Sequence, residues 1–413
     1  MTSPRHATVN ISGGNRTRIF LDASSTYVLG LNTGVQRLVR NVVRYAGGHE
    51  RRLGIDTSAV VCAGGAFHPI TENDLAVGGR AAPGEKSPGG RREIASLAVR
   101  PRPGDILILL EGGRRVRHLR RAIRSWRQQG ARAGLFVHDL LVLSHPDWFP
   151  EGTEAGYEEW LRWAGENLDF YLANSETTRG AARHFWGRPT EGIDGSPRRG
   201  GASVHLGCDF DRDVGEGRQR PERLRWLDAL DTEGHPLFLA VGTLEPRKNH
   251  HRILDAFDAV WSRGDRPALL LAGREGWLAE GLLDRIARHP ENERLLFHRS
   301  DLDDAELAHG YTRAAALICA SSGEGFDIPL VEGLAHGLPV LVSDIPIHRE
   351  VGREFCRYFD VDDSDTLAEL IHKVEAREPV APSDAFQADV CRTWDTCTGE
   401  LLERALTLAR SSK

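Results

Sequence analysis

The 413-residue sequence lacks the features that mark several large protein classes. No apolar run approaches the ~20 residues that span a bilayer, and the N-terminal residues lack the apolar region of a signal peptide. Six cysteines are scattered without a Cys-x-x-Cys pair, so neither a zinc ribbon nor a disulfide scaffold is indicated. Lys and Arg number 53 against 59 Asp and Glu, and the net charge of −6 offers no basic excess for nucleic acid. We expect a soluble, cytoplasmic protein that binds no nucleic acid.

Short apolar runs alternate with helix-like sequence along most of the chain. Each run is apolar on both faces, which is typical of strands in parallel sheets covered by helices on both sides. At about 150 residues per domain, the length predicts two or three domains. The sequence therefore predicts an α/β fold with two Rossmann-like domains whose parallel sheets face each other across a cleft. The predicted strands are residues 18–23, 59–62, 106–110, 134–137, 170–173, 236–241, 268–272, 295–298, 316–319 and 340–342.

Polar stretches rich in Gly and Pro divide the chain. Residues 78–104 and 187–201 predict long surface loops, and the polar stretch 211–221 predicts the linker between the two domains. Apolar periodicity predicts a last helix over 393–410. The expected units are residues 1–220, 221–380 and 381–413, the last with a helix that packs back on the first unit.

Two glutamates follow a predicted strand in the segment SSGEGFDIPLVEGLAHG. Glu324 falls on the Ser/Gly turn, Pro329 stands where a helix begins, and Glu332 lies one turn inside that helix. The carboxyl ends of parallel strands are where such sheets bind ligands. Taken alone, Glu332 is also explained as a favourable charge near a helix N-terminus, and Glu324 as a solvated loop residue.

A second strand-end loop, in the sequence VGTLEPRKN, offers positive charge. Its turn is formed by Gly242 and Thr243, and Arg247 and Lys248 follow. A glycine turn brings backbone N–H groups into the cleft. Arg can bind a diphosphate bidentately, and Lys can meet it as a point charge. Gly273 forms a similar turn after the next predicted strand. An exposed Arg–Lys pair without function is the alternative.

The glutamate spacing, in the form EGFxxPxxE, resembles the signature of retaining family 4 glycosyltransferases with the GT-B fold. The resemblance implies that the first domain binds the acceptor and the second a nucleotide sugar. Glu324 would contact the donor sugar and Glu332 the ribose, while Arg247 and Lys248 would stabilise the departing phosphate. Asp327 stands where many relatives have Gly, which leaves the donor sugar open. The implied donor-binding residues are Gly34, Gly242, Thr243, Gly273, Gly325, Phe326, Asp327, Ile328 and Glu332.

The first half carries shorter matches to the same family. The loop LNTGVQR, which contains Gly34, is similar to that of bacterial surface-polysaccharide mannosyltransferases that use GDP-mannose. The resemblance implies that this loop approaches the donor phosphates and that His138, at a strand end, lies near the reacting sugar. A structural role for His138, and simple helix capping by the Asn174–Ser175 element, are the alternatives. The implied catalytic residues are Arg247, Lys248, Glu324 and His138.

The expected activity is retaining transfer of a sugar from a nucleotide diphosphate-sugar, with GDP-mannose favoured, to a hydroxyl of a glycan or lipid-linked glycan. Such a reaction belongs to polysaccharide or glycoconjugate biosynthesis. No metal or other cofactor is expected, because the basic loop supplies the countercharge for the diphosphate. The other common glycosyltransferase fold holds its diphosphate through a divalent cation bound by an Asp-x-Asp sequence. Here such a sequence, Asp360-Val361-Asp362, lies beyond the donor segment. A glycoside hydrolase using the two glutamates and a non-catalytic sugar- or nucleotide-binding protein of this fold are the alternatives.

Seven arginines lie between Arg114 and Arg127 in a chain that is acidic overall. Val116, Leu119, Ile123 and Trp126 recur at helical spacing, so one face of a helix can pack while the arginines point outward. The pattern fits a solvated helix face, and it equally fits a peripheral contact with anionic lipid at the inner face of a membrane.

Overall fold

A computed structural model describes residues 16–30, 33–75, 97–113, 116–187, 190–191, 197–198, 200–209, 221–230, 235–376 and 391–411. Nearly all of the expected linker over 211–221, and most of the expected loop over 78–104, lie outside the described residues. None of the helices in the described ranges has the length and apolar character needed to cross a membrane.

The first half folds into a seven-stranded sheet with strand order β3-β2-β1-β4-β5-β6-β9. All neighbouring pairs are parallel except β2 and β3, which form a hairpin through Gly64 and Gly65, both at positive φ. The sequence predicted five of these strands and missed β3 and β9. The strands are β1 Thr17–Asp22, β2 Ile55–Ala63, β3 Ala66–Ile70, β4 Ile106–Leu109, β5 Arg132–Val137, β6 Phe170–Ala173 and β9 Gly200–Ser203, with a small separate hairpin of β7 Thr190–Glu191 and β8 Pro197–Arg198.

The second half folds into a six-stranded, wholly parallel sheet with strand order β12-β11-β10-β13-β14-β15. All five predicted strands are present, and the unpredicted sixth is the three-residue edge strand. Two such sheets confirm the predicted α/β class. The strands are β10 Leu237–Val241, β11 Ala268–Ala272, β12 Leu296–Arg299, β13 Ala316–Cys319, β14 Val340–Ser343 and β15 Arg357–Phe359.

Helices cover both faces of each sheet, so the central strands are buried on both sides. Every residue of β4 and β11 is buried, which explains their unbroken apolar sequences. The helices are α1 Ser24–Leu29, α2 Gly34–Leu53, α3 Leu119–Gln128, α4 Leu141–Ser144, α5 Thr153–Asn167, α6 Glu176–Trp186, α7 Pro221–Ala229, α8 His250–Ser262, α9 Glu280–Arg288, α10 Asp304–Arg313, α11 Ile328–Ala335, α12 Pro346–Gly352, α13 Ser364–Glu375 and α14 Trp394–Ser411.

The terminal helix α14 packs on the elements of the first sheet, chiefly on α2. The backbone N–H of Cys208 donates to the Arg392 carbonyl at 2.9 Å, and that of Trp394 donates to the Asp209 carboxylate at 2.6 Å. Trp394 itself is buried. The chain therefore returns from the second sheet to the first, and α14 begins one residue after the helix predicted from the sequence.

Candidate functional site

Two loops meet at the carboxyl edge of the second sheet. The central strands β10 and β13 are parallel neighbours, so the segments that follow them leave the sheet on the same side. The segment after β10 forms a short 3-10 turn, Pro246–Lys248, before α8. The segment after β13 carries Glu324 and leads into α11. This topology brings together the two charged motifs that the sequence singled out.

Glu324 lies between the two basic residues. Its carboxylate oxygens are 2.5 Å from an Arg247 guanidinium nitrogen and 2.6 Å from Lys248 Nζ. Ser321 Oγ also donates to Glu324, at 2.7 Å. Burial alone would raise the pKa of Glu324, but the positive charges of Arg247 and Lys248 hold it below its usual range. Glu324 is therefore ionised and fixed in place, rather than the solvated loop residue of the alternative reading.

Two further carboxylates complete this cluster. Glu245 lies 2.6 Å from Arg247, and burial raises the pKa of Glu245. Asp327 Oδ1 lies 3.4 Å from Lys248 Nζ. Arg247 and Lys248 are therefore not the exposed basic pair of the alternative interpretation, but are paired with carboxylates. Each keeps further N–H donors, because a guanidinium has five and an ammonium three.

Asp327 occupies a backbone position that favours glycine, with φ at +72° at the start of α11. Its carboxylate compensates for this conformation, because Oδ2 is paired with the buried imidazole of His348 at 3.1 Å while Oδ1 faces Lys248. Burial would raise the pKa of Asp327, but Lys248 and His348 lower it well below the usual range. The departure from the family pattern thus adds a buried charge next to the basic loop. His348, on α12, was missed because nothing in its local sequence signals the contact.

Glu332 is almost fully buried inside α11 and is held from both halves of the chain. Arg37, on α2 of the first half, forms an ion pair with Glu332 Oε1. The Tyr311 hydroxyl donates to Glu332 Oε2 at 2.8 Å. Burial raises the pKa of Glu332, and the charge of Arg37 opposes that rise. Neither partner was predicted, and together they replace the reading of Glu332 as a surface charge near a helix end.

The two halves are in close contact at Gly325. A Cβ on this residue would lie 1.9 Å from the carbonyl oxygen of His138. The hydroxyls of Ser175 and Thr178 donate to the Gly325 carbonyl at 2.7 and 3.2 Å, and Asn174 Nδ2 donates to the His138 carbonyl at 2.7 Å. The Asn174–Ser175 element therefore does more than cap α6. It also holds the loop of the second half around Gly325, which the sequence predicts to bind the donor and which we call the donor loop.

The described contacts of the His138 side chain lie within the first half of the chain, with Leu110 and Phe136. Its Nε2 lies 2.9 Å from the Leu110 carbonyl oxygen, and burial lowers the pKa of its imidazole, which favours the neutral ring. Its backbone carbonyl, rather than its ring, meets the donor loop at Gly325.

The remaining predicted residues line or support the same edge. A Cβ on Gly34 would meet Ile328 Cδ1 at 3.3 Å, so the loop before α2 abuts the start of α11. A Cβ on Gly273 would lie 1.8 Å from the carbonyl oxygen of Gly242, next to Thr243 N. Phe326 is buried and packs edge-to-face on His205, with ring centres 4.8 Å apart. Phe326 thus anchors the loop between its charged neighbours.

A further contact between the two halves involves Glu350 of α12. Its carboxylate accepts the backbone N–H groups of Glu176 and Thr177, at 2.6 and 2.8 Å, at the N-terminus of α6. A carboxylate at that end of a helix satisfies donors that have no partner within the helix and complements the helix dipole. Nothing in the sequence of either segment predicts this contact, because the two segments are far apart along the chain.

Residues 226–385 match the sequence model of the family described as glycosyl transferases group 1. Serotype-specific mannosyltransferase WbdA of Escherichia coli is 33% identical over 251 residues, which are 61% of this chain and 31% of that protein. The chain thus matches less than a third of WbdA's length. O-antigen chain mannosyltransferase B of Escherichia coli is 24% identical over 276 residues, 66% of this chain and 69% of that protein.

Solved structures with the same fold cover nearly the whole chain. Anabaena Alr3699/HepE, solved in complex with UDP-glucose, has a TM-score of 0.56 and 14% identity, and the alignment covers 96% of this chain and 98% of that one. Sucrose-phosphate synthase from Thermosynechococcus elongatus has a TM-score of 0.54 and 16% identity, with 96% and 97% covered. At these identities the likeness concerns the fold alone. It confirms the GT-B architecture, and residues 226–385, which match the glycosyl transferases group 1 model, form most of the second half of that fold.

Proposed function

We propose that the chain is a retaining glycosyltransferase that transfers mannose from GDP-mannose to a hydroxyl of a glycan or lipid-linked glycan during polysaccharide assembly. The observation that carries this proposal is the placement of Glu324 between Arg247 and Lys248 at the carboxyl edge of the second sheet. The names of the relatives, which are bacterial mannosyltransferases, support the choice of sugar.

In this proposal the cluster is a preorganised site for charge that develops on the leaving phosphate. Glu324 and Glu245 hold the Arg247 guanidinium in one orientation, so its unused N–H donors need no reorganisation when the sugar–phosphate bond breaks. Lys248 is fixed in the same way by Glu324 and Asp327. Glu324 keeps free lone pairs for hydroxyls of the donor sugar.

Glu332 is proposed to bind the ribose. Arg37 and Tyr311 each occupy one of its oxygens, but a carboxylate offers about four acceptor positions, so two hydroxyls can still be accepted. Burial raises the pKa of this carboxylate, and the positive charge of Arg37 opposes that rise. The acceptor would enter from the first half and attack on the same face from which the phosphate leaves, so no carboxylate acts as a covalent nucleophile.

The hydrolase alternative receives no support from the arrangement of the glutamates. A glycosidase needs two carboxyl groups that flank one bond, one of them ready to give a proton. Glu324 is instead bound to two cations, and Glu332 is bound to a third cation and a hydroxyl.

We further propose that the reaction needs no metal and that the protein works in the cytoplasm, at the inner face of a membrane. On the arginine-rich helix α3, Arg120 pairs with Glu159 and Arg127 with Asp169. Arg117, Arg121 and Arg124 are exposed, although Arg124 also donates to Asn167 and lies over the Trp163 ring, and these three are proposed to contact anionic lipid. Arg114 and Arg115 lie outside the described residues.

The first experiment measures thermal unfolding with GDP, UDP or ADP. A nucleotide at 100 times its Kd stabilises the protein by ~2.7 kcal/mol, and we expect GDP to be the most effective. Transfer is then assayed with GDP-mannose and with UDP-glucose. Glu324→Gln, which keeps the shape of the side chain but removes its charge, should abolish transfer, whereas the exposed control Glu369→Gln should not. Stabilisation by none of the three nucleotides would refute the proposed function.

A further inference from the structure

Four aromatic rings gather at the mouth of the cleft, outside the charged site. The His145 imidazole stacks on Trp148, with ring centres 3.9 Å apart and planes 10° from parallel. Phe149 stacks on Trp277 of the second half at 5.6 Å. The Trp277 indole N–H donates to the Trp148 carbonyl at 2.7 Å. We call His145, Trp148, Phe149 and Trp277 the aromatic rim.

The aromatic rim lies directly against the turn that carries Glu324. A Cβ on Gly323, the preceding residue, would lie 2.8 Å from Cζ3 of Trp148. The Gly323 carbonyl also accepts from Arg247 at 3.0 Å. Trp148 is therefore adjacent to the place where the donor sugar would lie.

The rings remain partly open to solvent, unlike the large aromatic side chains of the core. Trp148, Phe149 and Trp277 are half-buried, and His145 is exposed although Trp148 covers one face of its ring. Two exposed polar residues, Ser144 and Asp147, adjoin the stacked His145 and Trp148 in sequence. Ser144 Oγ lies 2.8 Å from His145 Nδ1. Grouped aromatic surface edged by polar groups is typical of a binding site rather than of a fold contact.

We propose that the aromatic rim is the acceptor subsite and that its ligand is a pyranose ring of a glycan. A pyranose has a face of C–H groups, which can lie flat on an aromatic ring, and an edge of hydroxyls, which Ser144 and Asp147 can bind. A lipid chain would instead need a continuous apolar surface without a carboxylate at its border. The inference rests on the proposed function, because it places the acceptor next to the transferred sugar.

His145 gives the cleanest test, because its described contacts lie within the first half and do not bridge the cleft. His145→Ala removes the outer ring, whereas His145→Tyr keeps a flat ring. Phe185→Ala is a matched control, since Phe185 is a half-buried ring on α6 that contacts Arg162 and Trp186. Binding of α-linked mannotriose is measured by calorimetry without donor, and Michaelis constants for mannotriose and GDP-mannose are measured separately.

We expect His145→Ala to weaken mannotriose binding, and to raise its Michaelis constant, by about tenfold. The constant for GDP-mannose and the affinity for GDP should stay unchanged, and His145→Tyr should restore the acceptor constant. Equal changes in the Michaelis constants for GDP-mannose and mannotriose would overturn the inference. So would a mannotriose affinity that is the same in His145→Ala and the wild type, or a wild type that does not bind mannotriose. Failure of the proposed function would appear differently, as absent nucleotide binding in a protein whose rim still binds mannotriose.

Discussion

Arg37→Ala is the most informative perturbation of the cleft, because Arg37 supplies the positive charge that faces the buried Glu332. The Arg37 side chain is 16% exposed and that of Glu332 only 1%. Removing one partner of a buried ion pair typically costs about 3–5 kcal/mol, since the other charge stays buried without compensation. Water that enters an opened cleft can reduce this cost, so we expect the variant to lose up to that amount of stability at neutral pH.

The loss should depend on pH in a defined direction. Burial already raises the pKa of Glu332. The charge of the nearby Asp304 adds to that rise, whereas the hydrogen bond from Tyr311 opposes it. Without the positive charge of Arg37, the pKa of Glu332 rises further. A carboxyl with a raised pKa in the folded state binds more protons folded than unfolded, so its contribution to stability falls as pH increases above the unfolded value. The stability difference between wild type and Arg37→Ala should therefore be larger at pH 8 than at pH 5.

The assay is denaturant unfolding at both pH values for wild type, Arg37→Ala, Glu332→Gln and the double variant. The double variant should recover much of the stability lost in Arg37→Ala, because a neutral amide at 332 needs no counter-charge. GDP affinity should fall in Arg37→Ala, and more so as pH decreases, because the ribose then meets a protonated acid. The reasoning would be refuted if the two substitutions changed the free energy of unfolding additively. It would also be refuted if Arg37→Ala lost less stability, relative to the wild type, at pH 8 than at pH 5.

Three further predictions concern the site and its surroundings. Lys248→Ala should lower turnover by ~10²–10³-fold while changing donor affinity less, because the charge on the leaving phosphate grows as the sugar–phosphate bond breaks. Unchanged turnover with a raised Michaelis constant for the donor would indicate ordinary ground-state binding. Activity should survive excess EDTA, and a loss restored by Mn²⁺ or Mg²⁺ would contradict metal independence. The protein should pellet with anionic but not neutral vesicles and be released by salt, through residues 114–127; equal recovery in the supernatant with both vesicle types would exclude this contact.

Most of the strands could be predicted because burial on both faces leaves an unbroken apolar run in the sequence. The strands that were missed lack that signal. β9 reads Gly-Gly-Ala-Ser, and β15 has only three residues at an edge. β3 contains His68 and Pro69 and lies at the end of the strand order, although the two glycines before it were a usable hairpin signal.

The common location of the double-glutamate motif and the basic motif could also be predicted, because the carboxyl ends of parallel strands lie at the same edge of a sheet. Their partners could not. Arg37 is 295 residues from Glu332 in sequence, and only the docking of the two halves brings them together. The pairing of Asp327 with His348 depends likewise on how α12 turns back toward the sheet. Sequence patterns report local geometry and burial, whereas contacts across the cleft depend on tertiary packing.

The close approach at Gly325 means that a larger residue at this position would separate the two halves of the protein. The atom opposite it is a backbone oxygen of His138, so no side-chain rotation can make room for a methyl group there. Gly325→Ala would therefore push the two halves apart at this point. Such a variant would populate an open form of the protein. On the proposed function, nucleotide binding and the later closure over the sugar would then become separable steps.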